Sequence, residues 1–316
     1  MLATILHGQR SMRLNRGILY GIGAYTLWGL LPVYWKALHA VPALEILANR
    51  MLWSLVFVLI LLLVRKHWSW LRRASRDRRI LITYFATATL LAVNWLTYIW
   101  AVNAGFIIET SLGYFINPLI NVLFGVLFLS EKLRVGQILA LVLAAGGVIY
   151  LTVSYGTFPW IAMTLAVTFG LYGLLRKTGS LESTEGLALE TMFYFLPALS
   201  YLLFLGITGQ GALAAGDPRT TFLLVGTGVV TGVPLLLFGA AARRITLTNL
   251  GILQYIAPTM QFLIGLFLYG EPFTGHQLVG FLFIWSALLV YTAEGLRHSR
   301  SKRAPAALQE TPMPLD

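Results

Sequence analysis

Apolar residues run in long blocks along nearly the whole chain, and polar residues gather in the short gaps between them. The blocks are roughly 20 residues each, the length a helix needs to cross a hydrocarbon core of roughly 30 Å. Reading them between charged or Gly/Pro-bearing breaks predicts helices near 17–38, 43–64, 80–101, 107–129, 133–153, 157–176, 186–206, 220–240, 246–269 and 275–295. In lipid each span must satisfy its own backbone hydrogen bonds, so blocks this long read as helices, whereas a membrane barrel needs short alternating segments. The predicted fold class is an all-α polytopic membrane protein of ten transmembrane helices.

Composition supports that solvent. The 316 residues are 58% hydrophobic and 11% charged, with a mean hydropathy of +0.76, well above the apolar share of a soluble domain. There is no cysteine, which removes disulfides, thiolate metal sites and cysteine nucleophiles. A net charge of +11 would suit nucleic acid if it covered one soluble face. Here 20 of the 23 Lys and Arg fall in alternate gaps between spans, and only Lys36, Arg50 and Arg219 fall elsewhere. That is the positive-inside pattern, and it places both termini in the cytoplasm with no nucleic-acid partner. The first block is of full membrane length and lacks a small-residue cleavage site, so it should stay as a helix. Residues 1–16 form a cytoplasmic segment, with Met12 a second possible start. The tail over 298–316 is basic and then rich in Pro and Ala, and is expected to be disordered.

Sliding the chain on itself by 140 residues superposes Gly125–Glu131 on Gly265–Glu271, and pairs Pro118 with Pro258, Gln137 with Gln277 and Ala101 with Ala241. Helices one to five, within 17–154, thereby match helices six to ten, within 157–297. An odd number of spans per repeat inverts the second copy. Charge agrees, because the loop at 65–79 is strongly basic and its counterpart at 205–219 holds only Arg219 beside Asp217. Two inverted five-helix repeats around a midplane site are a basis of alternating access.

The segment Leu27–Lys36, followed by Glu45–Ser54, closely resembles the start of RarD-type proteins, in the EamA branch of the drug/metabolite transporter superfamily. Asn94-Trp95, the run Glu109–Leu119 and the Glu131/Glu271 repeat fit the same family, so the resemblance covers 12–297. Asn49 departs from the His expected before Arg50. The resemblance implies a ten-helix permease of a bacterial inner membrane, with relatives known for chloramphenicol sensitivity. No cofactor is implied. The partners are a small-molecule substrate and membrane lipid.

Ionisable side chains within a span are costly, which makes Arg50 and Glu190 the first candidates for a substrate site. They are repeat equivalents, each about 10 Å from its own membrane face. Arg50 is read as contacting an anionic group of the substrate or balancing Glu190; the plain alternative is a structural charge held by carbonyls or snorkelling outward. Trp28, Tyr34, Trp95, Tyr98, Tyr114, Tyr172 and Tyr255 are candidate lining residues for an amphipathic solute, since flat rings offer area with a polar handle. Trp35, Trp68, Trp70 and Trp160 read instead as interfacial anchors. Asn94, Asn117 and Gln254 join the binding candidates, because an amide within a span must find a partner or face water; helix-to-helix hydrogen bonding is the alternative. Glu45, Glu109, Glu131 and Glu271 read as helix caps. Pro32, Pro118 and Pro258 are candidate hinges, and Gly21, Gly23, Gly29, Gly146 and Gly147 are close-packing positions.

A membrane-embedded enzyme is the main rival. The sequence has no H-E-x-x-H, G-x-S-x-G or Walker loop and no nucleophile beside a base. A passive channel lacks any filter-like motif. The expected activity is a secondary transporter for small amphipathic metabolites or drugs.

Overall fold

The apolar blocks fold as the pairing requirement dictates. A computed structural model describes residues 2–65, 68–129, 133–213, 216–242, 244–245 and 253–308, and among them the regular structure is helical, with no strand. In order these are α1 (Leu2–Gly29), α2 (Leu31–Ala37), α3 (Ala43–Arg65), α4 (Ser69–Arg76), α5 (Arg78–Ala104), α6 (Ile107–Leu129), α7 (Val135–Tyr155), α8 (Trp160–Thr178), α9 (Ser183–Thr208), α10 (Pro218–Ala242), α11 (Ile256–Leu263) with a π-turn at Ile264–Leu268, and α12 (Gly275–Leu308). Among the described residues, six helices (α3, α5, α7, α9, α10 and α12) are long and apolar enough to cross a membrane, and shorter apolar helices cover 160–176 and 256–268.

Breaks and caps follow local chemistry. The block at 17–38 is not one helix: α1 ends at Gly29 and α2 restarts with Pro32 in its first turn, where a missing N–H costs nothing. Pro118 lies inside α6, but Pro258 is the third residue of α11, so its backbone sits in a first turn and not at the mid-helix position expected. Asp77 accepts from the Arg79 and Ile80 N–H groups to start α5, and Asp217 accepts from Arg219 and Thr220 to start α10. Hydrogen bonds from Thr220 hold the Asp217 carboxyl below its ordinary pKa. Gly105, at φ +89°, closes α5 in the left-handed conformation, with the Phe106 N–H on the Ala101 carbonyl. Helix α12 continues to Leu308 through the segment expected to be disordered from 298.

Two compact units result. In the unit comprising Met1–Phe124 and Trp160–Pro272, α3 packs on α5, α9 and α10, α5 on α8 and α9, and α1 on α10 and α11. Helix α6 is tied to α8 by the Asn117 amide, which donates to the Ala166 carbonyl at 3.1 Å. Lipid tails are as apolar as leucine, so close backbone approach and interhelical hydrogen bonds must supply this cohesion. Gly228 shows the approach: a Cβ there would stand 2.3 Å from the Trp53 carbonyl oxygen of α3. Gly21 and Gly29 are similarly tight against Leu253 and Met260, at 2.7 and 2.9 Å, whereas Gly23 makes only ordinary contact. In the other unit, Gly125–Pro159 and Phe273–Asp316, α7 and α12 pack together, with Gly147 close to Phe283 and Gly280 close to Leu151; Gly146 makes only ordinary contact.

Candidate functional site

Arg50 lies in the second turn of α3, where α5 and α10 close over it, and is 3% exposed. Its Nε donates to Thr231 Oγ1 of α10 at 2.9 Å. The guanidinium carbon stands 3.7 Å from the centroid of the Trp95 ring and 5.1 Å from that of Trp35, so two indoles cover it. Tyr98 and Tyr114 flank the same group and meet edge to face at 5.6 Å. Three donors of this cluster remain unspent: Arg50 Nη1, the Tyr98 hydroxyl and the Trp35 indole N–H have no hydrogen-bond partner among the described residues. No carboxylate lies within ion-pair distance of Arg50 among the described residues.

Glu190 belongs to a second cluster. It is 2% exposed, and its Oε1 pairs with Arg176 Nη1 at 3.5 Å. The Arg176 guanidinium lies over the Tyr84 ring at 5.3 Å, and the Thr87 and Tyr172 hydroxyls are close to the carboxylate. This corrects one expectation, because the charge balancing Glu190 is Arg176 and not Arg50. Rings connect the two clusters: Tyr114 meets Phe169 edge to face at 6.2 Å, and Phe169 meets Tyr172 at 5.8 Å.

The other candidates are distributed around these centres. Asn94 donates to the Leu165 carbonyl and Thr168 of α8 while its Oδ1 accepts from the Tyr114 hydroxyl at 3.4 Å, so it holds the aromatic wall of the Arg50 cluster. Gln254 donates to Asn117 Oδ1 at 3.2 Å, joining those amides to each other, with Tyr255 half-buried at the turn into α11. Tyr34 spends its hydroxyl on the Leu223 carbonyl and packs edge-on against Trp35. Trp28 packs with Tyr25 and Phe238, and its carbonyl accepts from Gln261.

Sequence reasoning missed Trp35, Thr231, Arg176, Tyr84 and Thr87. Trp35 and Trp70, read as interfacial anchors, are buried at 0% and 2%, since Trp35 covers Arg50 and Trp70, on α4, packs in a cluster with Val58, Leu62 and Tyr84; Trp160 is exposed. The carboxylates act at long range. Glu271 gives both oxygens to the N–H groups of Ile107 and Ile108, at 2.8 and 2.9 Å, so it caps α6 and not the helix that follows it. Glu45 accepts from the Ala212 N–H at 2.7 Å and fixes the turn after α9. Glu131 lies outside the described residues.

Gly228 connects the fold to this site, because its contact with Trp53 sets the α3–α10 distance that Arg50 and Thr231 bridge. Gly228→Ala is expected to push the helices apart and destabilise the protein by about 1–3 kcal/mol, the usual effect of overpacking. Unfolding in detergent by denaturant checks this, with Gly206→Ala, where a Cβ meets nothing within 4 Å, expected to stay within about 1 kcal/mol of wild type.

A bundle of membrane-length helices with buried, interhelical charged groups defines a polytopic membrane protein. The chain belongs to the EamA-like transporter family, whose pattern matches residues 15–153. It is 45% identical over 288 residues to Protein RarD of Streptomyces exfoliatus, covering 91% of each chain. It is 47% identical over 295 residues to the uncharacterized transporter YojE of Bacillus subtilis, covering 92% of this chain and 98% of that one. Protein RarD of Escherichia coli is 39% identical over 286 residues, 90% of this chain and 97% of that one. A protein crystal structure superposes with a TM-score of 0.58 over 88% of this chain and 98% of the other, at 20% identity, a likeness of fold alone.

Proposed function

We propose that this chain is a secondary transporter of small amphipathic solutes in a bacterial inner membrane, working by alternating access between two inverted five-helix repeats. The observation that carries the reading is Arg50, a buried cation with unspent donors between α3, α5 and α10. A static structural charge in lipid is expected to have all its donors used, whereas a solute site keeps some for cargo.

Ten spans follow if α1, α6, α8 and α11 with its π-turn cross the membrane beside the six long apolar helices. Three of the helix pairings support the inverted repeat, because exchanging each helix for its counterpart returns another observed pairing. Pairing of α3 with α10 becomes that of α9 with α5, α5 with α8 becomes α10 with α1, and α3 with α5 becomes α9 with α10. Local chemistry repeats too: Gln137 accepts from the Arg134 N–H, and Gln277 accepts from the Thr274 N–H. The charge pattern puts both termini in the cytoplasm, with Arg50 nearer the periplasmic face and Glu190 nearer the cytoplasmic one.

The test is counterflow in proteoliposomes loaded with a panel of amino acids, aromatic metabolites and amphipathic drugs, with and without a pH gradient. Saturable exchange that is lost in Arg50→Ala, with normal insertion, is the expected result. Full exchange by Arg50→Ala sinks the assignment of the site.

A further inference from the structure

We propose that the cargo is a small aromatic monoanion, a carboxylate carried on a flat ring, whose charge is received by Arg50. This rests on the transporter reading above and adds the chemical class of the solute.

The argument begins with charge. Among the described residues, the interior of the unit that holds the site contains two guanidiniums, and they differ. Arg176 has Glu190 at 3.5 Å, so its charge is answered from within the protein. Arg50, 3% exposed, has among the described residues only the neutral Thr231 hydroxyl on Nε and two indole faces against its plane. Ring faces attract a cation but do not neutralise it. One positive charge is therefore left over in a water-poor site, and a monoanion completes the site where a neutral or cationic solute would not.

Donor geometry adds to this. Arg50 Nη1 and the Tyr98 hydroxyl are both without a partner; the guanidinium N–H can be satisfied only by an acceptor, and the hydroxyl can donate to the same group. A carboxylate supplies two acceptor oxygens, and its bonds to a guanidinium are of the strong, charge-assisted kind. The ring requirement comes from the walls. Trp35, Trp95, Tyr98 and Tyr114 surround the guanidinium, and Tyr114, Phe169 and Tyr172 continue the aromatic surface toward the second cluster. A flat ring gains offset and edge contacts along such a surface that an alkyl chain does not.

The test uses the full chain in lipid nanodiscs, with tryptophan fluorescence as the readout, since Trp95 and Trp35 face the site. The probes are phenylacetate, the uncharged phenylacetamide and the aliphatic hexanoate. Phenylacetate is expected to bind about tenfold to a hundredfold more tightly than phenylacetamide, and more tightly than hexanoate. In Arg50→Gln the preference for acid over amide should vanish. The wild-type comparison stands even if Arg50→Gln does not fold. Equal binding of acid and amide, absence of phenylacetate binding, or a preference for hexanoate overturns the proposal. Counterflow of a neutral or cationic solute by the same preparation would then leave the transporter reading intact, and absence of flux for every panel member would remove that reading as well.

Discussion

Arg176→Met is expected to destabilise the protein by about 3–5 kcal/mol, because it leaves the Glu190 carboxylate buried in the bundle with no cation beside it. The asymmetry of exposure sets the direction. The Glu190 side chain is 1% exposed and has no route to water, whereas Arg176 is 16% exposed and can move its long stem outward. Glu190→Gln alone should therefore cost less than Arg176→Met. The double substitution, which removes both charges, should recover most of the loss, since a buried pair replaced as a unit is often nearly neutral. Chemical unfolding of the four proteins in one detergent forms a double-mutant cycle and reads the coupling directly. Gly186→Ala offers a gentler version, because a Cβ there would stand 1.5 Å from Arg176 Nη1 and must displace it from Glu190. If the single and double variants prove equally stable, the pair is a surface contact in energetic terms and Glu190 is solvated by other means.

The pair also shows which parts of the site a sequence can reveal. Arg50 and Glu190 are legible because an ionisable residue in an apolar block is costly wherever it points, so its position alone marks it. Arg176 is not legible in the same way. It falls at the edge of the block at 157–176, where a basic residue reads as a loop charge, and only the reach of its side chain takes it back to Glu190. Trp35 fails for a related reason. A tryptophan near the end of a span is usually an anchor, but the break between α1 and α2 puts this one in a separate short helix that covers Arg50. Thr231 carries almost no sequence signal, because a hydroxyl in a span can bond its own helix.

The seven predicted helices from 43–64 to 220–240 are found to within three residues, since length and hydropathy are set by the solvent, whereas the block at 246–269 lies partly outside the described residues and its helix α11 begins at Ile256. The exceptions are instructive. The block at 17–38 is divided by a proline that starts a helix instead of bending one, and the last block continues into a segment rich in Ala, Arg and Lys, good helix formers despite its polarity. The sequence match at 140 residues pairs Gln137 with Gln277, and each is found closing the start of a helix. What such a match does not convey is the partner. Glu271 precedes α12 in sequence but binds α6, more than 160 residues away, and no local rule assigns that contact.

Glu271→Ala should have an effect of the same size, about 3–5 kcal/mol, and at a different place. Two charge-assisted hydrogen bonds are lost, and the N–H groups of Ile107 and Ile108, both fully or nearly fully buried residues, are left without acceptors. The carboxylate also sits where the positive end of α6 favours an anion, and Lys36 lies near enough to reinforce it. Glu271→Gln keeps one acceptor oxygen but turns an NH2 toward the second N–H, so it should fall between wild type and alanine. Hydrogen exchange separates this from a general loosening. Amides at the start of α6 should exchange much faster in Glu271→Ala, while those of α3 and α10 around Arg50 change in proportion to global stability only. The clamp has a further consequence because the π-turn at Ile264–Leu268 ends three residues before Glu271, and π-turns store an unpaired step in the helical ladder. If the clamp is released in one conformation of a transport cycle, Glu271→Ala should bias the protein toward that conformation and raise accessibility at 105–112 even in lipid. If it is permanent, the same variant should lose stability without altering the accessibility of the folded state.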